Sequence, residues 1–76
     1  MEFNQLRVGD KVRITALSVG DSHYRQRLIA MGLIPGTIFT VTRIAPLGDP
    51  IEIAIRGYAL SLRKNEACML QIEGVA

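Results

Sequence analysis

Few residues in this chain could do chemistry. It holds one cysteine, Cys68, and one histidine, His23, beside seven carboxylates. A nucleophilic pair needs Ser, Cys or Thr within reach of a base. Cys68 lies in "ACMLQIEGV", where alternation places it with Leu70 and Ile72 on the inward side of a strand, so it reads as a small buried hydrophobe. His23 falls in the first turn of a helical segment, as a solvated side chain, and a metal site needs several clustered ligands. The acids Glu2, Asp10, Asp21, Asp49, Glu52, Glu66 and Glu73 form no close pair, and Asp10, Asp21 and Asp49 each adjoin a glycine in a turn. Residues 45–50, "APLGDP", are the one stretch that could grip a phosphate. Its two prolines offer no amide protons, which leaves a hairpin connection. On this reading Pro46 ends a strand, Gly48 and Asp49 supply the turn, and Pro50 opens the next strand. No nucleotide-binding glycine motif occurs. The expectation is therefore a protein without catalytic residues, cofactor or dedicated metal ligands; a hard-cation site would have to converge from Asp49, Glu52 or His23.

The elements that hold these residues must come from one small domain, spanning residues 1–76. Hydrophobic residues make up 49% and charged ones 21%, a folding composition. A lone cysteine cannot staple the chain, so packing or a partner must stabilise it. The opening "MEFNQLRVGD" lacks the pattern of a signal peptide, and no apolar run nears the roughly 20 residues that cross a bilayer. A cytoplasmic protein without membrane insertion is expected. The net charge of +2 is mild, and Lys11, Arg13, Arg43, Arg56, Arg63 and Lys64 are dispersed. A nucleic-acid-binding barrel using them is the alternative reading. With 2 Tyr, 2 Phe and no Trp there is little stacking platform, so no nucleic acid is expected.

Period-two alternation marks strands in "KVRITAL", "IEIAIR", "YALSLR" and "ACMLQIEGV". "TIFTVTRIA" is rich in β-branched residues and apolar on both faces. Only Arg56 and Gly57 separate Ile55 from Tyr58, which predicts a tight hairpin with Gly57 at positive φ. Between the first two strands Tyr24, Leu28 and Met31 recur at i, i+4 and i+7, one face of a short helix. Asp21 or Ser22 would cap it, Gly32 close it and Pro35 prevent its continuation. About five antiparallel strands with one helix after the first predict a small SH3-like barrel, mainly β. Apolar residues then remain in segments that should be turns: Leu33, Ile34 and Leu47. They either lid the barrel or form an exposed patch.

Three stretches together carry a resemblance: "RLIAMGLIPG", "APLGDPI" and "GYALSLRKNEA". The whole chain resembles the FeoA family of small ferrous-iron transport proteins. That resemblance implies an SH3-like barrel, independently of the periodicity, and a cytoplasmic accessory protein acting on the membrane transporter FeoB. The cytosolic GTP-binding (G) domain of FeoB is the implied contact. No helix-turn-helix precedes the domain, so the stand-alone form is implied rather than a repressor fusion. The family supplies no catalytic or iron-binding residues. With a protein partner implied, Leu28, Met31, Leu33, Ile34 and Leu47 become the expected docking residues, with self-association left open.

Overall fold

Alternation becomes strand wherever one side of the pleat finds apolar neighbours. In the computed structural model, which describes residues 3–18 and 22–75, five such strands form one antiparallel sheet. They are β1 (Lys11–Leu17), β2 (Ile38–Ile44), β3 (Ile51–Ile55), β4 (Tyr58–Leu62) and β5 (Leu70–Gly74). The order is β4-β3-β2-β1-β5, so β4 and β5 are the sheet's two ends. The molecule measures 29 × 26 × 24 Å, nearly equal in all directions, as a sheet curled round its own core must be. Register shifts between Ile14 and Ala16 in β1 and between Val41 and Arg43 in β2 supply irregularities that bend strands.

The inward residues are those the alternation selects. Val12 and Ile14 of β1, Phe39 and Val41 of β2, Ile53 of β3 and Leu62 of β4 are all essentially inaccessible. Each such side chain contributes about 1.5–3 kcal/mol relative to an exposed one. Leu28 and Leu33 complete this core from outside the sheet. Helix α1 (Ser22–Ala30) presents Leu28 as its one buried residue. Gly32 follows at φ +87°, and the Leu33 amide donates to the Leu28 carbonyl at 2.9 Å, closing the helix as expected. The cap expected of Asp21 lies outside the described residues.

Two expectations are corrected. A second helix, α2 (Lys64–Ala67), stands between β4 and β5. Its four residues are too few to show a period, and its stabilising contacts come partly from distant residues. As a result β5 begins only at Leu70. Cys68 is the C-terminal cap of α2, in the right-handed helical region, and is exposed rather than inward-facing. Met69 and Leu70 are both buried, which breaks the alternation through which Cys68 was read.

The "APLGDP" connection is a hairpin loop, but its turn sits earlier than expected. The Gly48 amide donates to the Ala45 carbonyl at 2.7 Å, so Pro46 and Leu47 are the central residues. Proline second and glycine fourth suit such a turn. Asp49 follows it, joined to Pro50 by a cis peptide.

Candidate functional site

With no catalytic set in the sequence, the surface is where function must lie, and the expected docking residues divide. Leu28 and Leu33 are 0% exposed, which removes them from any surface. They are core residues because helix closure at Gly32 turns both toward the sheet. Met31 is half-buried and packs against the core. Ile34 and Leu47 are exposed, at 45% and 96%.

These two do not lie together. Leu47 tops the β2–β3 loop and borders a cleft with Phe3, Leu6, Ile44, Ile51 and Lys64. Ile34 belongs to the segment leading into the opposite end of β2, where the Thr37 amide donates to the Ile34 carbonyl at 3.0 Å. The length of β2, roughly 20 Å at about 3.3 Å per residue, separates the two ends.

The Ile34 end carries more apolar surface than the sequence indicated. Ile29, Ile38 and Tyr58 are also large, exposed apolar residues. Gly32, Gly36, Ile38, Ile55 and Arg56 line a common cleft there. Tyr58, first residue of β4, lays its ring over Gly32 and donates its hydroxyl to the Met31 carbonyl. That bond fastens the end of α1 to the β3–β4 hairpin. Tyr58 and Ile38 escaped notice because alternation assigns faces and not ends; the hairpin glycine beside Tyr58 was the available signal. Arg56-Gly57 form the predicted tight turn, with Gly57 at φ +87°.

Of Asp49, Glu52 and His23, the residues read as possible ligands, Asp49 serves the fold. Asp49 Oδ1 accepts from the Lys64 amide at 3.0 Å, fixing the hairpin loop to the first turn of α2. Glu66, 5% exposed, accepts from the Arg63 amide through Oε1 at 3.3 Å, while its Oε2 lies 3.4 Å from Arg27 Nε. His23 is exposed and meets Tyr24 edge-on, ring centroids 6.2 Å apart. Among the described residues no three His, Cys, Asp or Glu side chains converge as a metal group would need. The basic residues are equally scattered. Arg13 pairs with Glu73 at 2.9 Å, Arg56 lies at the Ile34 end, and Lys64 borders the Leu47 cleft. Among the described residues no helix is long and apolar enough to cross a membrane.

A mainly β, five-stranded SH3-like domain with a helix between its first two strands is the class these features define. A family model described as the FeoA domain matches residues 1–74, and the chain belongs to the FeoA family. It is 34% identical over 73 residues to a Porphyromonas gingivalis Fe(2+) transport protein A/Fe(2+) transporter FeoB fusion protein. The match covers 96% of this chain and 8% of the fusion, so this chain spans a small fraction of that relative. Among solved structures, a FeoA-like protein from Clostridium acetobutylicum superposes with a TM-score of 0.87 at 36% identity, over 100% of this chain and 87% of that one. A Pseudomonas aeruginosa protein gives 0.76 at 42% identity, over 93% and 96%. That relative's name links the family to Fe(2+) transport.

Proposed function

We propose that this chain is an accessory, regulatory interaction module of ferrous-iron uptake that works in the cytoplasm by binding the cytosolic G domain of FeoB. The observation that carries this reading is the fusion, in which a homologous 73-residue stretch and an Fe(2+) transporter share one polypeptide. Covalent linkage holds two modules at an effective concentration up to the millimolar range. Working as a separate chain, the same domain would need a binding surface in place of the tether. The exposed apolar residues Ile29, Ile34, Ile38 and Tyr58 support that role, because exposed apolar surface marks interaction sites. Met31 is half-buried against the core, and Leu47 stands apart at the other end of β2.

Deletion of the chain tests the role, and measured binding tests the partner. Deletion is expected to reduce ferrous-iron uptake in cells that depend on FeoB. Titration calorimetry of the purified chain with the soluble G domain is expected to give saturable binding. Unchanged uptake would overturn the role. Reduced uptake without G-domain binding would move the contact to another part of the transporter.

A further inference from the structure

We propose that α1 is a latched strap, which opens from the barrel as a unit while the five-stranded sheet stays folded. A nine-residue helix does not persist in water by itself, so α1 exists only while it is attached. Its attachments are few. Leu28 is its single fully buried side chain, and Tyr24 packs partly buried against the core. Tyr24 Oη accepts from Asn65 Nδ2 at 3.3 Å, Arg27 Nε lies 3.4 Å from Glu66 Oε2, and the Met31 carbonyl accepts from Tyr58. The two hydrogen bonds are exposed and the Arg27 side chain is 60% exposed, so water competes for all three polar contacts. No strand ladder passes through α1, and its release breaks no sheet pairing. Leu33, fully buried, anchors the chain immediately after Gly32, which places the hinge at that glycine.

Glu66 explains why the closed state is only a latch. Its Oε2 is buried with no hydrogen-bond partner, and Arg27 supplies only a longer ion pair. A buried carboxylate oxygen left in that condition is costly. Opening returns it to water and offsets part of the loss of Leu28 burial. The open form uncovers the core beneath Leu28, and a partner that binds this form better shifts the population toward it.

Amide hydrogen exchange followed by NMR on the whole 76-residue chain tests the proposal. The amides of Gln26, Leu28 and Met31 are expected to exchange at least about 10-fold faster than those of Phe39, Val41 and Ile53. Arg27→Ala and Tyr58→Phe should each accelerate the α1 amides a further severalfold and leave the β2 and β3 amides unchanged. Equal rates in α1 and the sheet would overturn the proposal. So would uniform acceleration of all amides, or α1 rates that neither variant moves.

Discussion

Gly32 is the residue at which helix, hairpin and core meet. Its φ of +87° is one that L side chains rarely adopt, and an added Cβ would run into the Tyr58 hydroxyl. Gly32→Ala is expected to cost at least about 1 kcal/mol from backbone strain alone, because the left-handed region disfavours a Cβ by that amount. Displacement of Tyr58 adds to it. Urea unfolding measures the sum, and a variant within about 0.5 kcal/mol of the parent would contradict the packing described. Leu33 and Leu47 make a sharper contrast. Both are leucines in turn-like sequence, yet one is fully buried and the other 96% exposed. Leu33→Asp buries a charge and is expected to abolish folding, so it cannot serve as an interface probe. Leu47→Asp should leave stability within about 0.5 kcal/mol, as surface substitutions do. Circular dichroism melts of the two variants check both statements, and a folded Leu33→Asp would refute the burial argument.

At the scale of elements, α2 is held by its neighbours. Asp49 reaches it from the β2–β3 loop, and Glu66 closes its first turn from within. Asp49→Ala removes the acceptor of the Lys64 amide and is expected to destabilise by about 0.5–2 kcal/mol, the range for losing a helix cap. Chemical-shift changes should centre on residues 64–67. An unperturbed α2 would show that the contact contributes nothing. Cys68, at the end of the same helix, is exposed. A maleimide is therefore expected to label it to completion without denaturant, whereas labelling that requires denaturant would restore the buried reading. Periodicity gave both pieces away poorly. It announced α1 through Tyr24, Leu28 and Met31, but four residues cannot display a helical repeat, and the β5 alternation ran backward into the cap of α2 to include Cys68.

For the whole molecule, the separation of Ile34 from Leu47 constrains how a partner can bind. A standard interface buries about 800 Å² per partner, which on a body about 26 Å across is one face or one end. Both residues should therefore not be central to the same contact. The large exposed apolar residues Ile29, Ile34, Ile38 and Tyr58 stand against Leu47 and Val8 elsewhere on the surface. Placing a charge at the centre of an interface typically costs more than about 1.4 kcal/mol, a tenfold loss. Ile34→Asp is expected to weaken G-domain binding by at least that factor, and Leu47→Asp by much less. Calorimetry on the two variants decides, and the reverse order would move the surface to the β2–β3 loop.

The sequence by itself determined the architecture: alternating runs at Val12–Ile14, Ile51–Ile53 and Leu60–Leu62, a helical repeat between the first two strands, and glycines where the chain turns. These signals are local, because a strand or helix face is set by which neighbours in the chain are apolar. What an apolar residue in a turn does is not a local property. Leu33, Ile34 and Leu47 have similar side chains, and only the closing of the sheet decided that the first fills the core and the others face water. The same holds for Asp49 and Glu66, whose partners lie 15 and 39 residues away at Lys64 and Arg27. Burial and long-range pairing follow from where the folded chain returns to itself, and that was settled only by the tertiary structure.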